Sequence, residues 1–194
     1  MKTPLIIKET AQGSTPINII DELFKNRVVF LNGEVNSESA DNLIEQFMYL
    51  SKVEPEREIS FYINSPGGEV LSGLAVYDTI KLISSPVRTG CTGMAASMGA
   101  ILFLAGDKRE ILPNSQIMIH DPAPGGGSMA GMKPEAMEET LSYLKQVQNT
   151  IIDIISSTTK QPKKVVLSKT RKDTYFSAEE AVKFGLATDI VSSL

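Results

Sequence analysis

The stretch that most constrains this chain is Gly93-Met-Ala-Ala-Ser-Met-Gly99, followed by the apolar run Ala100-Ile-Leu-Phe-Leu-Ala105. Small residues on both sides of Ser97 suit a tight strand-to-helix turn, and the run after it suits a buried helix. Free backbone N–H groups and the dipole at such a helix start favour developing negative charge. A small-x-Ser-x-Gly elbow is one form a nucleophile takes. A close-packed helix start with a satisfied hydroxyl explains the same residues, and the stretch alone does not choose between them.

Other residues narrow the choice. The chain has a single histidine, His120, delivered by the alternating strand Ile117-Met-Ile119 to the edge of a Pro/Gly-rich loop. A general base at neutral pH falls most readily to this side chain, although a lone histidine can equally be structural. Ser65-Pro-Gly-Gly68 follows a strand, and its glycines leave backbone N–H groups unobstructed, as an oxyanion hole needs. A plain turn needing positive φ is the competing explanation. The lysine and Ser/Thr of a phosphate loop are missing there.

At 194 residues and 42% hydrophobic, the chain is expected to form one domain, 1–194, with a substantial core. A net charge of −4 without a strong basic cluster argues against nucleic acid. One cysteine, Cys91, and one histidine exclude an internal disulfide and the usual zinc spacings, and no metal or other cofactor is expected. The N-terminal apolar run is too short for a signal peptide. The uncharged stretch 89–106 is interrupted by Gly90, Gly93, Ser97 and Gly99, so it reads as core and not as a membrane span. A cytoplasmic protein is the expectation.

In chain order, strand and helix alternate. An extended arm (1–17), broken by Gly13 and Pro16, precedes a short helix, 18–26. A strand at 27–31 is expected to close at Asn32-Gly33. An amphipathic helix to about Lys52 turns Leu43, Ile44, Phe47, Met48 and Leu50 inward. A strand at 58–64 leads through Ser65-Pro-Gly-Gly68 to a helix at 69–84, with Val70, Leu71, Leu74, Tyr77 and Ile80 on its apolar face. A strand at 87–91 leads to the serine elbow, and short strands follow near 109–112 and 115–120. Pro134 opens a long helix to about Thr159, with Met137, Leu141, Leu144, Val147, Ile151, Ile154 and Ile155 at helical spacing. Pro162 opens another helix, and Ser177-Ala-Glu-Glu180 is a capping box with Gly185 ending the helix it starts. This βαβα order indicates an α/β architecture.

Four motifs stand in one order: Ile63-Asn-Ser-Pro-Gly-Gly68; Gly93 to Ala100; Leu112-Pro-Asn-Ser115 with Met118-Ile-His120; and Phe176-Ser-Ala-Glu-Glu-Ala181 with Phe184-Gly-Leu186. Together they resemble the ClpP family, the proteolytic subunits of ATP-dependent Clp proteases, over nearly the whole chain. The resemblance implies the ClpP/crotonase fold, a spiral of βαβ units with a projecting helix–strand handle (121–160) and an axial N-terminal arm (1–17). It implies self-assembly into two face-to-face seven-membered rings, fed with unfolded polypeptide by an AAA+ unfoldase. Residue by residue, Ser97 matches the nucleophile, His120 the base, and Asp173 the aspartate of a Ser-His-Asp triad. The amides of Gly68 and Met98 match the oxyanion hole. Gly67, Gly68, Val70, Leu71 and Pro122 match the substrate-binding strip, where substrate adds as a strand. A crotonase-type acyl-CoA enzyme shares the fold but has no need for Ser97 and His120 together.

The chain also departs from the resemblance. The stretch from His120 to Asp173 is longer than usual, with the extra length at 124–132, and Asp121 stands where the family usually has glutamine. At positions matching the unfoldase-docking cleft stand Ser60, Tyr62, Gly90, Thr92, Glu110 and Leu112, a more polar set than the family's. Glu110 puts a carboxylate where an apolar loop would dock, a cost of a few kcal/mol without a compensating partner group. Arg171 and Lys172 stand where the family pairs an acid with arginine across rings. A partner-dependent subunit of a mixed assembly, with a second ClpP-type subunit, is the alternative to a self-sufficient peptidase.

Overall fold

A computed structural model describes residues 4–10, 13–123 and 131–192. The N-terminal arm is not merely extended. Strands β1 (Leu5–Thr10) and β2 (Gly13–Asn18) pair antiparallel in a separate two-stranded sheet. Asn18 then caps α1 (Ile19–Lys25), its side chain accepting the Ile20 N–H at 2.9 Å.

The main sheet is built from β3 (Val28–Val35), β4 (Ile59–Gly68), β5 (Val87–Ala96), β6 (Lys108–Ile111) and β9 (Asp189–Ile190), hydrogen-bonded in that order and parallel throughout. Strand β7 (Gln116–Ile119) joins the far end of β5 in parallel, and β8 (Thr174–Phe176) pairs with β7 antiparallel. Helices α2 (Ser37–Val53), α3 (Val70–Leu82), α4 (Met98–Leu104), α5 (Pro134–Thr159), α6 (Lys163–Thr170) and α7 (Ala178–Phe184) complete the α/β architecture expected from the sequence. The expected capping box at Ser177 and Glu180 is present, with Gly185 at φ 92° closing α7.

Several boundaries differ from the sequence reading. Asn32-Gly33 does not end β3; the strand continues to Val35 and absorbs the pair as a register shift against β4. Ser65-Pro-Gly-Gly68 likewise lies inside β4, and β5 runs on to Ala96. Met48 and Leu71 are exposed, contrary to the inward faces assigned to them. The core is instead carried by Val29, Leu31, Phe47, Phe61, Ile63 and by α4, all seven residues of which are buried. Among the described residues no helix is long and apolar enough to cross a membrane.

One buried cation ties the connections together. Arg27, 2% exposed, donates to the carbonyls of Leu50 (2.9 Å), Arg57 (2.8 Å) and Glu58 (3.1 Å) and to Ser85 Oγ (3.0 Å). It therefore satisfies the end of α2, the turn into β4 and the turn into β5 at once. Replacing it with methionine keeps much of its volume but strands these acceptors, each costing about 1–3 kcal/mol if left unpaired. A destabilisation of about 3 kcal/mol or more by urea unfolding is expected; a change within about 0.5 kcal/mol, the range of an ordinary surface substitution, would contradict this role.

Candidate active site

The strand register assembles the site. Ala96, the last residue of β5, pairs with Met118 of β7, and the Ser97 N–H donates to the Met118 carbonyl at 2.9 Å. His120 is thereby brought beside Ser97. On the other side of β7, Ile119 pairs with Thr174 of β8, so the residues flanking that pair, His120 and Asp173, emerge side by side. The Asp121 N–H donates to the Thr170 carbonyl at 2.7 Å and extends this junction by one more bond.

The three side chains form one hydrogen-bonded line. His120 Nε2 lies 2.9 Å from Ser97 Oγ, and His120 Nδ1 lies 3.0 Å from Asp173 Oδ1. Ser97 and His120 are half-buried and Asp173 is exposed. Ser97 occupies φ 53°, ψ −121°, a backbone conformation that an L-residue holds only under the constraint of its surroundings. The turn places its Oγ at the mouth of α4 instead of in the core. As first residue of that helix, Met98 has an amide with no carbonyl of its own helix to reach.

The glycines of β4 close over this turn. Gly67 has φ 95° and Gly68 φ 150°, which glycine alone holds readily. A Cβ on Gly67 would stand 2.6 Å from Ser97 Cβ, and one on Gly68 2.0 Å from the Val35 carbonyl oxygen. Both positions thus need glycine for space as well as for φ. Beside Ser97 lies a small pocket lined by Val70, Met98, Ile101, Ile119, His120, Pro122, Ile151 and Ile155. Val70 and Pro122 were expected here. Leu71 is 66% exposed and does not line it. Ile151 and Ile155 come from the C-terminal part of α5, whose helical stripe gave no hint that it borders the site.

Comparison with known proteins gives the family of the chain. The family model for Clp protease matches residues 11–193. The chain belongs to the Clp protease family. Among its Clp protease relatives is an ATP-dependent Clp protease proteolytic subunit from Deinococcus radiodurans, 40% identical over 190 residues, covering 97% of this chain and 91% of the relative. Clp-type proteolysis is thus the class of activity to which this chain belongs.

The remaining candidate residues fall elsewhere. Ser60, Tyr62, Gly90 and Glu110 lie in neighbouring rows across β4, β5 and β6, with Tyr62 paired to Gly90 and Gly90 to Glu110. Glu110 has a compensating partner: Arg88 Nη1 donates to Glu110 Oε2 at 2.6 Å. Arg88 also donates to Ser60 Oγ at 2.8 Å and to Glu58 at 3.3 Å, and stands over the Tyr62 ring. Burial lowers the pKa of Arg88, but its bonds to Glu110 and Tyr62 outweigh this and the net shift is upward, so the cation is held firmly. The Tyr62 ring lies flat across Gly90, where a Cβ would meet it at 2.7 Å. Thr92 bonds back to the Ile63 carbonyl at 3.4 Å, and the Leu112 N–H bonds to the Cys91 carbonyl. Sequence reasoning missed Arg88, although its i, i+2 spacing from Gly90 places both on one face of β5.

Arg171 and Lys172 are exposed and form no ion pair among the described residues. One oxygen of Asp121 is buried without a hydrogen-bond partner among the described residues. The extra length placed at 124–132 falls largely outside those residues. Cys91 is buried, which raises its thiol pKa and makes it a poor nucleophile. No cluster of three or more His, Cys, Asp or Glu suited to a metal occurs among the described residues.

Proposed function

We propose that this chain is a serine endopeptidase that cleaves unfolded polypeptide with Ser97, His120 and Asp173. The observation that carries the reading is the unbroken line Ser97 Oγ, His120 Nε2, His120 Nδ1, Asp173 Oδ1, at 2.9 and 3.0 Å. With the Nδ1 proton donated to Asp173, the free Nε2 lone pair faces the serine hydroxyl. Ser97 Oγ attacks the scissile carbonyl and passes its proton to Nε2, and Asp173 stabilises the imidazolium. The tetrahedral oxyanion is met by the amides of Gly68 and Met98. Its collapse breaks the C–N bond, with the imidazolium proton going to the leaving amine. Water, deprotonated by His120, then hydrolyses the acyl-serine and restores the enzyme. Substrate lies as an added strand along Gly67, Gly68, Val70 and Leu71 and passes Pro122.

The partners proposed with this function are copies of the chain in heptameric rings, singly or face to face, and an AAA+ Clp unfoldase in the cytoplasm. The single domain, axial arm and handle of the ClpP fold are part of the same reading. A fluorophosphonate probe tests it directly: labelling at Ser97, lost on His120→Ala, is expected. An unlabelled, correctly assembled chain would count against it, as would labelling that His120→Ala leaves unchanged.

A specific observation favours a second reading alongside the first, in which the peptidase works within a mixed assembly. Arg88 and Glu110 occupy the face on which an apolar unfoldase loop would have to bind. Arg171 and Lys172, like charges next to Asp173, give a homomeric ring–ring contact nothing to pair with at those positions. A second ClpP-type subunit would supply both the docking face and the opposite charge.

A further inference from the structure

Ser65 is 1% exposed, one of the few polar side chains buried in the core. It follows the register shift of β4 against β5, where it pairs with Ala95. On its other side lies Gly99 of α4, so close that a Cβ there would stand 3.1 Å from Ser65 Cβ. For packing alone an alanine would serve as well, and a buried hydroxyl costs free energy unless it is bonded. Its oxygen is bonded: Ser65 Oγ accepts the Gly67 N–H at 3.1 Å.

That bond has consequences at the reaction centre. Gly67 abuts Ser97 and stands against the Met98 amide, 2.6 and 2.9 Å from a Cβ built on it. Pro66, between the bonded partners, has its φ fixed by its ring. The next peptide carries the Gly68 N–H, and two glycines in succession have many other conformations open to them. One hydroxyl, seated under α4, therefore fixes the start of the glycine turn relative to the nucleophile.

We propose that Ser65 is a positioning residue for peptide hydrolysis, its hydroxyl oxygen holding the Gly67 peptide so that the Gly68 N–H is aimed at the oxyanion. This rests on the reading of Ser97 as nucleophile with Gly68 and Met98 as oxyanion donors. The role is confined to the transition state, because the ground-state carbonyl makes weaker use of those donors.

The test is Ser65→Ala, of nearly the same volume but with no acceptor, with Ser65→Cys as a somewhat larger variant and a weaker acceptor. Hydrolysis of a fluorogenic peptide and inhibition by a peptide boronate and by the matching peptide amide are measured on the assembled protein. For Ser65→Ala, kcat should fall about 10- to 100-fold with KM little changed. Boronate affinity should weaken by a similar factor, amide affinity should hold, and Ser65→Cys should lie between. Should Ser65→Ala not assemble, the Cys variant carries the same comparison against the parent chain. Unchanged kcat in an assembled variant, or a loss confined to KM, would overturn the inference while leaving the Ser97 reading intact, provided Ser97→Ala is dead. Hydrolysis surviving in Ser97→Ala would overturn both.

Discussion

Ser97→Ala is expected to lose about six orders of magnitude in kcat, because nucleophile, base and orienting acid act as a unit. His120→Ala should be about as severe, since no other described side chain lies within hydrogen-bond distance of Ser97 Oγ. Asp173→Asn separates positioning from chemistry. The amide fits the same space, but presenting its N–H to Nδ1 selects the wrong imidazole tautomer, costing about 10⁴-fold. Because Asp173 is 60% exposed at its side chain, neither folding nor core packing should suffer. Peptide turnover and particle mass, measured together on all three variants, check the expectation. A Ser97→Ala variant turning over peptide at the parent rate would show that hydrolysis runs through other groups.

Much of this site was legible in the sequence because its residues sit where patterns change. Ser97 stands where a strand of small residues gives way to an apolar helix, and His120 where an alternating strand meets a glycine loop. Asp173 has no such local mark. It reaches His120 only through the pairing of Ile119 with Thr174, a contact between positions 55 residues apart in the chain. It was assigned through resemblance alone.

The fold's misreadings have similar causes. Asn32-Gly33 carries a turn signal, but pairing of Asn32 with Asn64 and of Glu34 with Gly67 on β4 draws it into a strand with a register shift. Met48 and Leu71 fit the apolar spacing of their helices yet face outward, because spacing gives a stripe without saying how wide its buried part is. Arg27 reads as the first residue of a strand, and only the fold shows four acceptors converging on it. Ser65 was read as one letter of a glycine motif, and its buried bond to Gly67 is invisible without the register of β4.

The Arg88–Glu110 pair changes the physical argument about docking. On sequence alone, Glu110 was a lone carboxylate that an apolar side chain would have to desolvate. In the fold, both charges are mostly covered and joined at 2.6 Å, with Ser60 and Tyr62 completing the arginine's bonds. An incoming apolar anchor must therefore bury a charge pair, or break it and bury two charges separately. Either cost is several kcal/mol, as large as the benefit of a good anchor residue, about 2 kcal/mol or more. Tyr62 lies over Gly90 on the same proposed docking face. The assembled chain alone, given a standard AAA+ Clp unfoldase and ATP, should therefore cleave short peptides but leave a tagged folded protein intact. Adding a second ClpP-type subunit should restore degradation. Changing Glu110 alone would strand Arg88, so the informative variant combines Ser60→Tyr, Arg88→Met and Glu110→Phe. It removes the pair and restores apolar surface, and unfoldase binding should appear with it. Brisk degradation of the folded protein by the unmodified chain and unfoldase would show that the pair yields to the docking loop, and that this face is no barrier.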